Sequence, residues 1–459
     1  MQKIFDEVNS LDQRCYKKFG LTEDILMENA SISMMNYIEK KFSAKNKILI
    51  VCGAGNNGAD GIVLARLLHK KYDVSLYIPF GVKSNMAQIQ LQRALKIKVK
   101  VITKIKKADV IVDCLFGSGL NRDLDKESIS LLQQLNKLKG YKIACDVPSG
   151  INTLGQITTE AFCANITITM GALKKSLFTD TAKEYVGKLI VSDLGIQRQL
   201  YETKTNSYLL ETKDLRLPLR DNKISNKGTY GHLSVVIGEK AGAGLLCAKA
   251  GFSFGCGLIS VVTSRLKKLP NSIMQNKELP SNTTAMCIGM GLGKKYNSNM
   301  LLNDIPKVLD ADLFYDINIL KVLKQKDLVI TPHPKEFCSL LELTGLANVS
   351  VKELQNNRFK YVNIFCKKYK DTVLLLKGTN VIIGKNKKTY VNPLGSSVLS
   401  KGGSGDVLCG LIGSLLAQGY NPLESAINGS LAHTLSASNY AGNNYSMMPE
   451  DLIKEIKKL

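Results

Sequence analysis

The sequence predicts two α/β domains, the first built on a doubly wound parallel sheet, meeting near residue 207. Three observations support this. At 459 residues the chain exceeds the size at which a single hydrophobic core stops growing. Short β-branched apolar runs alternate with segments of helical periodicity from Ile48 to about Val191, and a second such series starts at His232. Between the two series, from Gln197 to Asn226, the pattern dissolves into polar and charged residues around Pro218, as a linker does. Domains of residues 1–206 and 207–459 are therefore expected.

The strand-like runs of the first domain are KILIVC, DVSLYIP, ADVIVDCLF, YKIACDVP, ANITITM and GKLIVSDLG. In an open parallel sheet, ligands collect outside the carboxyl ends of the strands. The first strand opens the stretch ILIVCGAGNNGADGIVLARLL, Ile48 to Leu68, in which Gly53, Gly55 and Gly58 satisfy the dinucleotide fingerprint G-x-G-x-x-G. That fingerprint needs an acid about 20 residues later, at the end of the second strand. Here the strand ends in Tyr77-Ile78-Pro79-Phe80, and Asp73 stands at its other end. A hydride-transferring dehydrogenase is thereby rejected. The polar residues lie elsewhere: Asn56, Asn57 and Asp60 after the first strand, Asp113 before the loop FGSGLNRD, and Asp146 with Ser149 at the end of YKIACDVPSG. These are oxygen donors suited to a hard cation, although each acid alone could equally cap a helix or turn.

The second series runs HLSVVIG, GLISVVTS, TAMCIGMG, DLVITP and TVLLLKG, then a long helical C-terminus. Within it, SKGGSGDVLCGLIGSLLAQG (Ser400 to Gly419) sets a glycine-rich turn before a helix that reads as amphipathic. Backbone N–H groups and the dipole at such a terminus make an anion site fit for a transferring phosphoryl group. Asp406 stands there, where it could take a proton from an attacking hydroxyl. The same residues also read as an ordinary helix start.

Composition narrows the partners. Apolar residues make up 44% and aromatics 7%, as in ordinary globular proteins, and the formal charge is +23. The lysines are scattered, with no arginine-rich arm or aromatic-interleaved basic repeat, which favours anionic small molecules over nucleic acid. Eleven cysteines occur without a C-x-x-C pair, so free thiols in a reducing cytoplasm are expected. No run of 18 apolar residues is present, so no membrane span is expected.

LMENA (Leu26 to Ala30), GAGNNGADG, DCLFGSGL and DVPSG, in that order, closely resemble the NAD(P)H-hydrate epimerase family. The resemblance implies a Rossmann-like fold that interconverts the R and S forms of NADHX and NADPHX, the C6 hydrates of NADH and NADPH, beside a potassium ion. It implies Asn57, Asp113 and Ser149 as ion ligands and Asp146 as the acid/base. It implies substrate contacts from Asn56, Asn57, Gly58, Ala59 and Asp60, and from Gly117, Ser118, Gly119, Leu120, Asn121, Arg122 and Asp123. Ala59 departs from the family's usual Gly, which would hold the loop further from the pyrophosphate.

KGTYGHLSVVIG, AGAGLLCAKAGFSFGCGL, GMGLG, LDAD, TPHPKE and LLKGT precede the glycine-rich turn in order, and this series resembles the ADP/ATP-dependent NAD(P)H-hydrate dehydratase family. A ribokinase-like fold is implied. Ala243, Gly293, His333 and Asp406 would meet the hydrated dinucleotide, and Lys377, Gly378, Thr379 and Gly405 the ADP or ATP that accompanies Mg2+. His333 is one of only four histidines, and without its motif a structural role would be the better reading. Ser404 and Lys335 depart from the common Thr and Gly. Together the two resemblances imply a bifunctional repair enzyme: epimerisation to the S form, then phosphoryl transfer onto the C6 hydroxyl and elimination. A small-molecule kinase fused to an epimerase-like binding domain is the alternative. Small-molecule partners and a homo-oligomer are expected.

Overall fold

The computed structural model describes residues 1–157, 159–264 and 268–459. It divides into two compact units, Lys3–Thr205 and Asn206–Leu459 together with Met1 and Gln2. In the first unit, seven parallel strands form β1 (Lys47–Cys52), β2 (Asp73–Tyr77), β3 (Val101–Ile102), β4 (Val110–Cys114), β5 (Tyr141–Cys145), β6 (Ile166–Met170) and β7 (Lys188–Ser192). Their order is β3-β2-β1-β4-β5-β6-β7, with every neighbouring pair parallel. The order reverses between β1 and β4, which opens a crevice at their carboxyl ends. All six expected runs form strands. The two-residue β3 went unread because so short a strand carries no periodicity.

Both faces of this sheet are covered, so β1 and β4 are apolar on successive residues, not on alternate ones. Ile48, Ile50 and Cys52 join one buried cluster with Ile62, Leu64 and Leu68 of the helix Asn56–Leu68. Leu49 and Val51 join another with Leu131, Leu132 and Leu135 of the helix Lys126–Lys137. The turn between β1 and its helix is close-packed. A Cβ on Gly58 would lie 1.9 Å from the carbonyl oxygen of Gly53.

In the second unit the strands are β8 (Ser207–Leu209), β9 (His232–Val236), β10 (Leu258–Val262), β11 (Met274–Asn276), β12 (Ala285–Ile288), β13 (Lys307–Leu309), β14 (Leu328–Ile330), β15 (Val373–Leu376), β16 (Val381–Lys385) and β17 (Lys388–Asn392). The sheet runs β11-β10-β9-β12-β13-β14-β15-β16-β17-β8. It is parallel as far as β15 and then adds the antiparallel hairpin β16–β17. Three sequence readings are corrected here, the first being that the hairpin β16–β17 stands between TVLLLKG and the helical C-terminus expected to follow it directly. The polar stretch read as a linker contains β8, which pairs in parallel with β17 from Ser207↔Thr389 to Leu209↔Val391. The helix Ser404–Ala417, read as amphipathic, is buried on every side from Val407 onward. Leu408, Cys409 and Ile412 pack on the sheet with Leu233 and Val235, whereas Val407, Leu411 and Leu415 pack against Ala250, Phe254 and Ala432 of flanking segments. Gly410 permits this: its Cβ would meet the Cys247 carbonyl oxygen at 2.2 Å.

All eleven cysteines are free thiols, and Cys52, Cys114 and Cys145 are buried as expected. Among the described residues no helix is long and apolar enough to cross a membrane. Replacing Gly58 with Ala should lower the stability of the first unit by roughly 3 kcal/mol, because backbone meets the new methyl group and neither side can yield cheaply. Denaturant unfolding of the full chain measures it.

Candidate active sites

The carboxyl ends of β1, β4 and β5 border a cleft of about 650 Å³. Asn56, Asn57, Asp60, Gly117, Ser118, Gly119, Leu120, Asn121, Arg122 and Asp146 all line it, together with Asp12, Phe80 and Lys83, which the motifs did not single out. Gly117 holds the two sides together. A Cβ there would lie 3.0 Å from Asn57 Oδ1 and 3.2 Å from Asp146 Oδ2.

Asp146 follows β5 in a left-handed conformation, φ 68°, that non-glycine residues seldom adopt. The turn aims its carboxylate into a dense set of donors. Oδ2 accepts from the Ser118 amide at 3.0 Å, and Oδ1 from the Met170 amide at 3.1 Å. The fully buried Lys174 ammonium stands 2.6 Å from Oδ1 and is itself held by Thr169 Oγ1 and the Met170 carbonyl. Burial pushes the Asp146 carboxyl up, but Lys174 and these donors outweigh it and hold it below the usual range. Asp60 and Asp12 go the other way. Burial first, then neighbouring acids, drives Asp60 well up. Burial lifts Asp12 although the Tyr201 hydroxyl donates to it at 2.7 Å.

Asp113 and Ser149 lie under the cleft floor, not in its lining, and both are fully buried. The Ser149 hydroxyl and amide donate to the two Asp113 oxygens at 2.7 and 2.8 Å, and the Phe116 amide donates to Ser149 Oγ at 2.8 Å. Burial lifts the Asp113 carboxyl to about 6 against those bonds. The structure sets three of the expected contact residues outside the cleft lining. Ala59 is turned into the apolar cluster of Met27, Val63, Met86 and Ala87, because its place on the helix Asn56–Leu68 faces inward. Gly58 serves the close approach to Gly53. Asp123 is exposed, outside the cleft lining.

In the second unit Asp310 directly follows β13 and Lys377 directly follows β15. The Lys377 ammonium lies 2.8 Å from Asp310 Oδ1 and 3.8 Å from Glu336 Oε2. Burial lifts Asp310, and Lys377 opposes it. The loop carrying Lys377, Gly378 and Thr379 is clamped from below by the buried Arg358 guanidinium, which donates to the carbonyls of Leu376, Lys377 and Asn380. A Cβ on Gly405 would stand 3.4 Å from Lys377 Nζ, so the glycine-rich turn abuts that ammonium. Asp406, third in its helix, makes no side-chain hydrogen bond among the described residues. Burial, then Asp310, raises its carboxyl to about 6.

His333 is the N-cap of the helix Pro334–Leu343. Its Nδ1 accepts from the Lys335 and Glu336 amides at 3.1 and 3.3 Å, and Nε2 lies 3.1 Å from Glu336 Oε1. Glu336 links it to Lys377. Gly293 lies beside a separate hollow of about 980 Å³ with Lys240, Lys294 and Tyr315, and its amide donates to Asp312 at 2.9 Å. Ala243 packs against Gly291, at 3.4 Å from a Cβ built there.

A family model for NAD(P)H-hydrate dehydratase matches residues 233–458, and one for the YjeF-related protein N-terminus matches residues 23–176. The chain is 42% identical over 473 residues to the bifunctional NAD(P)H-hydrate repair enzyme Nnr of Helicobacter pylori, covering 100% of each protein. This chain belongs to the family of bifunctional NAD(P)H-hydrate repair enzymes. The Coxiella burnetii member is 33% identical over 485 residues, covering 97% of both chains. Among solved structures, the ADP/ATP-dependent NAD(P)H-hydrate dehydratase of Bacillus subtilis co-crystallised with ATP/Mg2+ matches 56% of this chain and 98% of its own, with 25% identity and a TM-score of 0.47.

In this NAD(P)H-hydrate repair family member, most motif residues of the first unit line one cleft, with Asp113 and Ser149 beneath its floor and Gly58, Ala59 and Asp123 outside the lining, whereas those of the second divide between the Lys377–Asp406 cluster and the hollow beside Gly293. Sequence reasoning missed Asp12, Lys174, Asp310, Glu336 and Arg358. LDAD and TPHPKE did contain Asp310 and Glu336, and GALKKS contains Lys174, but no spacing rule links these residues to their partners. Lys174→Met should destabilise the protein by about 3–5 kcal/mol at neutral pH, because it leaves Asp146 buried and unpaired. Adding Asp146→Asn to that variant should recover much of the loss, and a double-mutant cycle by urea denaturation reads the coupling.

Proposed function

We propose that the first unit epimerises the R and S forms of NADHX and NADPHX and that the second dehydrates the S form using ADP or ATP. One observation carries the reading. Each matched unit sets a carboxylate suited to proton transfer in its candidate site, Asp146 after β5 and ionised against Lys174, Asp406 at a helix start with no side-chain hydrogen bond among the described residues.

In the first unit Asp146 moves the proton, and Lys174 keeps it ionised between turnovers. Asn57, Asp113 and Ser149 fit a potassium ion. Among the described residues the Asn57 side-chain amide has a buried nitrogen with no partner, and the Asp113 carboxyl, raised by burial, has no cation against it. The amide presents oxygen when turned over. When bound, the ion supplies positive charge for phosphate or ribose oxygens. In the second unit the amides of Gly402 to Gly405 meet the transferring phosphoryl group at the helix start, and Lys377 adds its charge. Asp310 and Glu336 are the hard oxygens suited to the magnesium that accompanies the nucleotide. Asp406 takes the C6 hydroxyl proton as the phosphoryl group passes from the nucleotide to that oxygen, and phosphate then leaves C6 as a proton leaves C5 to the solvent, which restores the C5–C6 double bond of the dihydronicotinamide. His333 caps its helix and positions Glu336. Reduced thiols throughout suit a cytoplasmic enzyme.

Incubating the chain with mixed-epimer hydrate, with and without ADP or ATP, and following dihydronicotinamide absorbance tests this. Complete recovery is expected only with nucleotide. A stable phosphorylated product in its place would identify a kinase.

Asp406→Asn should lower dehydration by about 10²–10⁴-fold and leave epimerisation intact. In the wild-type protein the base must be deprotonated, so dehydration should fall as pH drops through about 6, where burial places this carboxyl. Stopped-flow rates across pH measure both. Asp146→Asn should leave the S epimer repairable and strand the R epimer apart from its slow spontaneous conversion. Chiral chromatography of residual substrate reads this, and equal wild-type-rate consumption of both epimers would overturn the role.

A further inference from the structure

The reading of the first unit as an epimerase leaves open which hydrate it prefers, and the cleft contains an unused cation. Lys83 lines it, beyond the carboxyl end of β2, with no hydrogen bond or ion pair to its side chain among the described residues. Its position is fixed by the backbone. The Lys83 and Ser84 amides both donate to the Ala54 carbonyl, at 2.8 and 3.1 Å, which ties the segment after β2 to the glycine loop after β1.

The sheet fixes how an extended dinucleotide lies along this cleft. The reacting ring belongs beside Asp146, after β5, and the pyrophosphate belongs at the start of the helix Asn56–Leu68, after β1. Continuing in the same direction brings the adenosine ribose to the end of β2. From β5 through β4 and β1 to β2 is three strand spacings, roughly 14 Å, a span an extended dinucleotide covers. An acid at the end of β2 would bind the 2′-hydroxyl and repel a 2′-phosphate. This chain has no acid there and places an ammonium in its stead.

We infer that Lys83 recognises the 2′-phosphate of the substrate, so that the epimerase site prefers NADPHX over NADHX. The inference rests on the epimerase reading. The other cleft cation, Arg122, stands in the loop after β4, over the half of the molecule that both hydrates share. The two cations therefore give different signatures.

The experiment uses the full chain without ADP or ATP, so that only epimerisation proceeds, and measures kcat/KM for each hydrate by chiral chromatography. The wild-type ratio of NADPHX to NADHX should exceed one and should fall as ionic strength rises, since an exposed charge pair is screened. Lys83→Gln should lower the ratio about tenfold, and Lys83→Arg should retain most of it. Arg122→Gln should weaken both substrates together and leave the ratio where it was. A wild-type ratio of one or below, a ratio unmoved by Lys83→Gln, or one moved equally by Arg122→Gln overturns the inference while the epimerase reading stands. No epimerisation of either hydrate by the wild-type chain overturns both.

Discussion

At the carboxyl end of an interior strand in each sheet a carboxylate leaves water and meets a lysine ammonium, Asp146 with Lys174 at 2.6 Å and Asp310 with Lys377 at 2.8 Å. A buried charge without a partner costs several kcal/mol, so these pairs fix what the surrounding residues can be. Lys174 is anchored by backbone carbonyls at its end, and the Lys377 loop by the Arg358 clamp. Pairing outweighs burial at Asp146 but not at Asp310, whose carboxyl is still raised, and the acids without such a partner also hold their protons more tightly. Asp60, Asp113 and Asp406 all shift upward, burial being the largest cause in each. One constraint thus produces both kinds of carboxyl group that proton transfer and ion binding require.

The backbone pays locally for this arrangement. Asp146 itself is left-handed at φ 68°, and Ala311, immediately after Asp310, is left-handed at φ 50°. Such conformations cost on the order of 1–3 kcal/mol and persist where the surroundings over-determine them. Close glycine contacts supply that rigidity. A Cβ on Gly238 would come 2.2 Å from Leu292 Cα, which locks the loop after β9 to the loop after β12. The glycines of the motifs therefore serve backbone approach as much as ligand contact.

The sequence made the strand runs legible because buried parallel strands are apolar on consecutive residues, and every run it named forms a strand. It passed over β11, β13 and β3, whose two or three residues leave no period to detect, and also β8 and the five-residue strands β16 and β17, which lie where it read a linker and the approach to a helical C-terminus. The motifs located the first cleft and the glycine-rich turn. Helix phase was less legible. Asn56 and Asn57 face the cleft whereas Ala59, two residues later, faces the core, so a contiguous motif was read as a contiguous surface. Side-chain partners were least legible. Lys174 stands 28 residues beyond Asp146, and Lys377 stands 67 beyond Asp310, so only the fold brings them together. His333 shows the same gap, since its imidazole caps the helix start and is linked to Lys377 through Glu336.

A chain of charge +23 that handles anionic substrates still lines its first cleft with Asp12, Asp60, Asp125 and Asp146. Four ionised carboxylates would repel a dinucleotide at the point of entry. The proton states resolve the conflict. Asp146 is compensated by Lys174, while Asp12 and Asp60 are shifted toward their neutral forms by burial. Asp125 keeps its charge but spends it on the Ser128 amide as a helix N-cap. The cleft lining also carries the ammonium of Lys83 and the guanidinium of Arg122, within a surface rich in lysine that draws anions inward over a distance set by ionic strength. The acids needed for chemistry and the cations needed for capture can therefore share one cleft, because pairing at Asp146 and burial at Asp12 and Asp60 reduce the negative charge that meets an approaching anion.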